Sequence, residues 1–403
     1  MAAQSGPLFS ERARTDPAPA RFSEGMYAFL ERVSSPFWEE VRVAMEGWLK
    51  HVPIEHRADM SQRLASRDDS QFSGAYLELY LHETFQRLGY DTTIHPHTAS
   101  GQRPDFLVKG PSGEFFLEAR HIVNASDRSR ARGNRQSALY DTLQRIDSPN
   151  FFLWVLPRVI GQLDPPKRGL VKALEGWLAT LDVDEQLQRT ERDRSLEDLP
   201  EFEWAQDDWL VHFRAIPKSE ATRGKAGIRP LGLFGDIEAS FIDGSSPLKE
   251  ALAEKGRRYG VNDRPYVIAL GVGAFTGRDN ADMANALFGT SQIEFQMGPS
   301  ASDDYRETRA RDGYWYGPQG WAHSHVTGVL QVSDLGPARF ASATPTLWLH
   351  PRPDHPLVPP PSWDVMNPQA DGQVVLEKAP LAPLELFGLT EPWPVGKPFR
   401  DDA

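Results

Sequence analysis

The stretch RPDFLVKGPSGEFFLEARHI (residues 103 to 122) contains two apolar runs, one on each side of a small-residue loop at 110–113. Short runs of this kind, separated by glycine and proline, predict two antiparallel strands at about 105–109 and 114–121 that are joined as a hairpin. If the loop is centred on the bond after Pro111, the numbers of paired residues sum to 223. The stretch therefore predicts both a hairpin and its register.

This register places Asp105 directly opposite Glu118, with their Cβ atoms roughly 4.5–5.5 Å apart. Arg120 lies two residues further along the strand and points to the same face. Two carboxylates held together in a hydrophobic sheet raise each other's pKa unless a cation lies between them. Asp, Glu and a backbone carbonyl form the oxygen-rich ligand set that Mg²⁺ or Mn²⁺ prefers. The hairpin therefore predicts a two-carboxylate metal site with a cation beside it for an anionic substrate.

The elements around the hairpin follow from hydrophobic periodicity. Residues 73–88 carry apolar residues on one helical face, and Gly89 is placed as a C-terminal cap. Residues 90–95 alternate as a strand. A helix is predicted at 135–147, and residues 150–157 form a strand that is apolar on both faces, as in the interior of a parallel sheet. The predicted order is helix, strand, strand, strand, helix, strand, with the second helix as a βαβ crossover.

In this setting the motifs of the hairpin resemble those of the PD-(D/E)XK nuclease superfamily. Pro104-Asp105 matches the PD dipeptide, and Glu118-Ala119-Arg120 lies where the (D/E)XK tripeptide belongs. The predicted order of elements is also similar to the core of that superfamily.

The resemblance covers roughly residues 72–158 and implies an α/β protein with a restriction-endonuclease-like core of order αβββαβ. It implies a nuclease that hydrolyses phosphodiester bonds of nucleic acid, with DNA favoured, in restriction, repair or phage defence. The implied cofactor is Mg²⁺ or Mn²⁺, and the implied metal ligands are Asp105, Glu118 and the Ala119 carbonyl.

Arg120 departs from the motif because it replaces the usual lysine. Arginine stays protonated, so it can hold the scissile phosphate but cannot act as a base. Members of the superfamily often carry an acid on the first core helix, which corresponds to Glu78, and this carboxylate is the predicted base for a metal-activated water. Gln136 and Tyr140 have the QxxxY spacing of an accessory motif in RecB-type members.

Composition limits the class of protein. The chain has 403 residues, 40% of them hydrophobic and 25% charged, and no cysteine, which excludes disulfides and thiolate zinc sites. No apolar run approaches the roughly 18 residues of a membrane span, and the first 25 residues lack a secretory signal. We therefore expect a cytoplasmic protein without a membrane association. The net charge of −12 (44 − 56) argues against non-specific coating of nucleic acid.

The charge is nevertheless uneven. Residues 120–135 hold five arginines and one acid, whereas residues 182–208 hold eleven acids and three arginines. The basic segment is either a phosphate-binding loop or a solvated connection, and the acidic segment is a candidate surface for a protein partner. The candidate nucleic-acid contacts are Arg128, Arg130, Arg132, Arg135, Gln136 and Tyr140.

The whole chain is predicted to contain a flexible arm at 1–22, a helical lead-in at 23–71, the core at 72–158, an α/β extension at 159–350 and a proline-rich segment at 351–403. Within the extension the patterns predict helices at 168–181, 247–259 and 280–288, and strands at 209–216, 265–271, 291–296, 325–332 and 346–350.

Other interpretations remain open from the sequence. Asp105 and Glu118 could form solvated salt bridges with Arg103 and Arg120. The chain could be a catalytically inactive module of the same fold that binds nucleic acid or a protein partner, or a structural protein whose acidic segment contacts partners. The His-x-His pairs at 95–97 and 323–325 lack further zinc ligands and are interpreted as structural.

Overall fold

The computed structural model describes residues 6–98, 101–111, 113–122, 127–165, 167–193, 198–225, 230–234, 245–258, 263–272, 280–295, 305–369 and 374–399. The chain divides into two compact units. Unit 1 comprises Met1–Ala13, Ser34–Val123 and Ile242–Gly396, and unit 2 comprises Arg14–Val33, Asn124–Phe241 and Lys397–Ala403.

The described residues form ten α-helices, which confirms the expectation of a mixed α/β protein. The first three lie in the predicted helical lead-in. In chain order the helices are α1 (Met26–Arg32), α2 (Pro36–His51), α3 (Ile54–Leu64), α4 (Asp69–Arg87), α5 (Asp127–Leu143), α6 (Lys167–Leu178), α7 (Val183–Asp193), α8 (Ser245–Arg258), α9 (Asn280–Phe288) and α10 (Pro383–Phe387).

The same residues form sixteen strands: β1 (Asp91–Ile94), β2 (Phe106–Gly110), β3 (Gly113–Ile122), β4 (Phe151–Val159), β5 (Glu201–Gln206), β6 (Trp209–Pro217), β7 (Leu231–Phe234), β8 (Tyr266–Val272), β9 (Ser291–Phe295), β10 (Tyr305–Arg309), β11 (Tyr316–Gly317), β12 (Gly320–Trp321), β13 (Gly328–Ser333), β14 (Thr346–Leu349), β15 (Asp364–Pro368) and β16 (Val374–Glu377).

Unit 1 is built on an eight-stranded mixed sheet of order β1-β2-β3-β8-β13-β14-β15-β16. The first three strands are antiparallel neighbours. Strands β3, β8 and β13 then run parallel. The antiparallel hairpin therefore meets the parallel part of the sheet at β3, between two strands that come from distant parts of the sequence.

Helices cover both faces of this sheet, as the alternation of side chains along β3 shows. Phe115 packs edge-on against Phe85 of α4. Phe116, one residue later, belongs to the buried cluster that contains Leu248 and Leu252 of α8. Successive strand residues point to opposite faces, so α4 and α8 lie on opposite sides of the sheet.

Helix α4 has the boundaries that its capping residues favour. The Asp68 side chain accepts a hydrogen bond from the Ser70 backbone N–H at 2.9 Å, as an N-cap does. Gly89 follows the helix with φ of +74°, the left-handed conformation of a C-terminal cap, which confirms its predicted role.

The register of the hairpin is confirmed. Gly110 pairs with Gly113, Lys109 with Glu114 and Phe106 with Leu117, so paired numbers sum to 223. The turn is short and glycine-flanked, and Gly113 has a positive φ of +113°, which a residue with a side chain rarely adopts.

The prediction that the strand at 150–157 joins this sheet is wrong. That segment is β4, and it lies in the four-stranded sheet β5-β6-β4-β7 of unit 2. The neighbour of β3 is instead β8, which follows α8. Both β4 and β8 are apolar on both faces, so the hydrophobic pattern alone cannot show which of them pairs with β3.

The predicted helix at 135–147 is also not a crossover within the first sheet. It is α5, which runs from Asp127 to Leu143 and begins inside the segment expected to be an arginine-rich connection. Arginine has a high helix propensity, and this favours an earlier start of the helix than the apolar pattern indicated.

Unit 2 has its own core. Leu139 and Leu143 of α5 and Leu170 of α6 are buried against Val211 and Phe213 of the β6 strand. Strand β4 is central, antiparallel to β6 and parallel to β7.

Several outer segments add to unit 1. Leu8 and Phe9, in the segment expected to be a flexible arm, are buried. Strands β15 and β16 extend the large sheet, although the sequence after the proline-rich connector carries few regular signals. Among the residues that the structure describes, no helix is long and apolar enough to cross a membrane.

Candidate active site

The hairpin brings Asp105 and Glu118 together in unit 1. Asp105 immediately precedes β2, and its Oδ2 accepts a hydrogen bond from the Ala119 backbone N–H at 2.7 Å. Glu118 lies opposite, in the middle of β3, with only 2% of its surface exposed. The two carboxylates predicted to be neighbours are therefore held at one place, and one of them is almost completely removed from water.

The charge of Glu118 is compensated by Lys255, a residue of α8. The Lys255 Nζ atom lies 2.5 Å from Glu118 Oε1, and Lys255 is itself only 7% exposed. A buried carboxylate without a partner costs several kcal/mol, so this ion pair offsets the cost of burying Glu118.

Asp105 is also largely buried, and its pKa is raised to about 7. Burial is the largest cause, followed by the negative charges of Glu118 and Glu78. The Ala119 N–H and the Lys255 ammonium oppose the rise in pKa but do not cancel it. The site therefore carries more negative charge than its own cations neutralise.

Replacing Asp105 with asparagine should stabilise the fold, and more so at high pH. Because the folded pKa is about 7 and the ordinary value is 3.8, the folded protein holds a proton that the unfolded chain releases between these values. The free energy of unfolding of the wild type should therefore fall as pH rises from about 4 to 7. Above pH 7 the ionised Asp105 should lower the free energy of unfolding of the wild type, and asparagine should restore about 1–4 kcal/mol of it.

Thermal melting of both proteins from pH 4 to 8.5 measures this difference. The matched control replaces the exposed Asp91 with asparagine, which also removes one carboxylate from unit 1. A difference for Asp105→Asn that is constant over the range would contradict the assignment of the raised pKa to Asp105.

Arg120 points to the same side of the sheet as Glu118, as predicted. Its guanidinium lies 3.3 Å from the carboxylate of Glu254, the residue of α8 that precedes Lys255. Both side chains of this pair are nearly half exposed. An exposed ion pair is weak, so Arg120 can exchange Glu254 for an anionic ligand at little cost.

Glu78 is held by an arginine of α3. Its two carboxylate oxygens accept hydrogen bonds from the Arg63 guanidinium at 2.7 and 2.6 Å. Glu78 raises the pKa of Asp105 through its charge. The predicted role as a base would require Glu78 to act while bound by Arg63 on both oxygens.

The candidate nucleic-acid contacts lie in the other unit. Gln136 donates a hydrogen bond from Nε2 to the Tyr140 hydroxyl at 2.7 Å, and Arg135 is half-buried. All six predicted contact residues belong to α5 of unit 2. The side chains of Arg128, Arg130 and Arg132 lie outside the described part of the chain. The predicted nucleic-acid contacts and the two carboxylates therefore belong to different units.

His95 is a neighbour of the site that the sequence did not assign to it. Its backbone N–H donates to the Asp105 carbonyl at 2.9 Å, and its Nδ1 lies 4.0 Å from Asp105 Oδ1. The interpretation of the second His-x-His pair as structural agrees with the ring stacking of His323 on Tyr314 and the contact of His325 with the Gly256 carbonyl.

Lys255 is the functional residue that sequence reasoning missed. It lies 137 residues after Glu118, so no short motif connects the two. A signal was nevertheless present: Leu248, Leu252 and Lys255 are spaced i, i+4, i+7 and share one helical face. A lysine on the apolar stripe of a helix needs a buried acidic partner.

The groups available to a metal are oxygen atoms. Asp105 and Glu118 supply two carboxylates, and the Ala119 carbonyl belongs to the same pair of strands. Within the described ranges, no three or more His, Cys, Asp or Glu side chains are gathered as a metal site. The set is therefore limited to two side chains, backbone oxygen and water, which is a donor set that Mg²⁺ accepts because it keeps several waters.

Comparison of the chain with protein-family models, with curated proteins and with solved structures found no match in any of the three. The function is therefore inferred from the residues and their geometry.

Proposed function

We propose that unit 1 is a metal-dependent nuclease that hydrolyses phosphodiester bonds of nucleic acid, with DNA as the favoured substrate. The observation that carries this proposal is the cluster of Asp105, Glu118 and Lys255. It combines two adjacent carboxylates with a buried ammonium group, and its negative charge is incompletely neutralised, as the raised pKa of Asp105 indicates.

The arrangement of elements supports a restriction-endonuclease-like core, although with other boundaries than the sequence indicated. Helix α4 and strands β1–β3 are followed in the sheet by β8, which is parallel to β3 and is preceded by α8. This gives the order αβββαβ when residues 124–241 are treated as an insertion between β3 and α8. In this proposal α8, the helix that carries Lys255, takes the place of the helix before the last core strand.

Asp105, Glu118 and the Ala119 carbonyl would hold Mg²⁺ or Mn²⁺. These are hard oxygen donors, and a divalent cation would relieve the repulsion that raises the pKa of Asp105. When bound, the ion would activate a water molecule and offset the negative charge that develops on the phosphate.

The residues of the chain supply the remaining chemistry. Lys255 forms the buried ion pair with Glu118, and a lysine ammonium, unlike an arginine guanidinium, can release a proton. In this proposal Lys255 performs the work of the motif lysine that Arg120 replaces, and it reaches the carboxylates from α8 instead of from β3. Arg120, at the exposed edge of the cluster, donates two parallel hydrogen bonds to two non-bridging phosphate oxygens.

Cleavage assays test the proposal. The purified full chain is incubated with plasmid, linear duplex and single-stranded DNA and with RNA, in Mg²⁺, in Mn²⁺ and in chelator. We expect cleavage of DNA that requires the divalent cation. Binding of nucleic acid without cleavage in either metal would instead support the inactive binding module.

A further inference from the structure

Unit 2 contains a cavity of about 380 Å³ between the segment at 18–23 and the C-terminal half of α5. Three cationic side chains line it: Arg21 from the segment, Arg145 from the residues after α5, and Lys167 from the start of α6. All three residues are exposed. The cavity therefore presents three positive charges that come from three separate parts of unit 2.

These three cations have no structural partner in the part of unit 2 that the structure describes. None of them forms an ion pair or a side-chain hydrogen bond with another residue of the described ranges. Lys167 also begins α6, a helix of 12 residues whose N-terminus adds partial positive charge. Like charges that line one cavity repel each other, and a bound anion would relieve this repulsion.

One acid, Asp141, also lines the cavity, but its oxygens are already used. Its Oδ1 accepts the Phe22 N–H at 2.7 Å, and its Oδ2 accepts the Ser23 N–H at 3.1 Å and the Ser23 hydroxyl hydrogen. Asp141 therefore fastens the 18–23 segment to α5. The lining retains an excess of two positive charges (three cations against one acid).

An aromatic side chain stands next to the cations. Phe22 is 37% exposed, and its ring centroid lies 5.2 Å from that of Tyr140. A basic groove with exposed aromatic rings is the combination that binds single-stranded nucleic acid, because phosphates meet the cations while bases stack on the rings. A duplex would keep its bases stacked and could use only the cations.

We propose that this cavity is a binding site for the phosphodiester backbone of single-stranded nucleic acid, with Phe22 stacking on a base. The choice of nucleic acid as the ligand rests on the proposed function of unit 1. Binding at the cavity itself requires neither a metal nor the carboxylate site. It would hold a single strand while unit 1 acts on nucleic acid.

The test is the affinity of the full chain for a fluorescent single-stranded DNA oligonucleotide, measured by anisotropy in chelator. The test variant replaces Arg21, Arg145 and Lys167 with glutamine. The matched control replaces Lys172, Arg189 and Lys225 with glutamine; these are exposed cations of unit 2 that do not line the cavity. Both variants lose the same net charge; they differ in the position of the charges and in the exposed Arg189–Glu185 ion pair, which only the control breaks.

We expect the cavity variant to lose at least about tenfold in affinity at 100 mM salt, and the control to lose less than about threefold. The slope of log affinity against log salt should fall by about 2, because three single-strand phosphate contacts contribute roughly 0.7 each. Phe22→Leu should weaken single-strand binding by about fivefold or more, leave the salt slope unchanged and affect duplex binding less.

Equal losses in the cavity variant and the control would overturn the proposal, because the effect would then come from total charge. Loss of duplex and single-strand binding to the same extent in Phe22→Leu would overturn the stacking role. Competition by millimolar inorganic phosphate as effective as that by the unlabelled oligonucleotide would assign the cavity to free phosphate. Repeating the binding measurement in Asp105→Asn separates this proposal from the nuclease proposal, since cavity binding should persist there whether or not the wild type cleaves DNA.

Discussion

Asp105→Asn should reduce metal-dependent cleavage of DNA by at least about 100-fold while the fold is preserved. Asparagine keeps the side-chain oxygen that accepts the Ala119 N–H at 2.7 Å, so the local hydrogen bond can survive. The substitution removes one of the two anionic ligands in the proposed site. Disturbing only the groups around a metal ligand costs 10- to 100-fold, and loss of the ligand charge should cost more.

Cleavage rates and melting temperatures of Asp105→Asn, Asp91→Asn and the wild type are measured together. Asp91→Asn also removes one carboxylate, from an exposed position at the start of β1, and should cleave like the wild type. If Asp105→Asn still cleaves at the wild-type rate, this carboxylate does not belong to the catalytic site.

Lys255→Met should lower the free energy of unfolding by about 3 kcal/mol. Methionine fills a similar volume, but it leaves Glu118, which is 2% exposed, without its ammonium partner. Breaking a buried ion pair by removal of one member costs about 3–5 kcal/mol. Urea unfolding, followed by tryptophan fluorescence, measures this loss.

The matched control is Lys249→Met on the same helix. Lys249 pairs with Asp312 at 3.0 Å but is 25% exposed, and its loss should cost less than about 1 kcal/mol. Glu118→Gln introduced together with Lys255→Met should restore much of the lost stability, because no unpaired charge then remains. A Lys255→Met protein as stable as Lys249→Met would contradict a buried Glu118–Lys255 pair.

The local part of the fold could be predicted because its signals are local. The hairpin register followed from the symmetry of one short loop, and α4 followed from a single apolar stripe with its cap. Helices and strands of the extension also lie close to their predicted positions; α9, for example, spans Asn280–Phe288, as the pattern at 280–288 predicts.

The pairing of strands across the chain could not be predicted in the same way. Strands β4 and β8 have the same apolar character, and only the packing of complete units decides which of them lies beside β3. The core was therefore predicted to end at residue 158. In the structure, the strand that pairs with β3 on its other edge is β8, which comes after the Asn124–Phe241 segment of unit 2. Long-range partners of this kind leave no periodic signal.

The candidate site could likewise be predicted only where its residues are close in the sequence. Asp105 and Glu118 are close in sequence and share a hairpin, so their proximity followed from the register. Lys255 and Arg63 come from separate helices, and each contributes a cation that the hairpin motif cannot show. Arg63 binds Glu78, and Lys255 brings to Glu118 an ammonium group that the hairpin motif does not contain.

Calorimetric titration of the protein with Mn²⁺ at pH 6 and pH 8.5, in buffers of different ionisation enthalpy, tests whether Asp105 and Glu118 form a metal site. With its pKa at about 7, Asp105 is mostly protonated at pH 6 and must release its proton when it binds a cation. The proposal predicts binding at one site, with close to one proton released at pH 6 and almost none at pH 8.5, and loss of this binding in Asp105→Asn. No heat of binding in the wild type, or unchanged binding in Asp105→Asn, would contradict it.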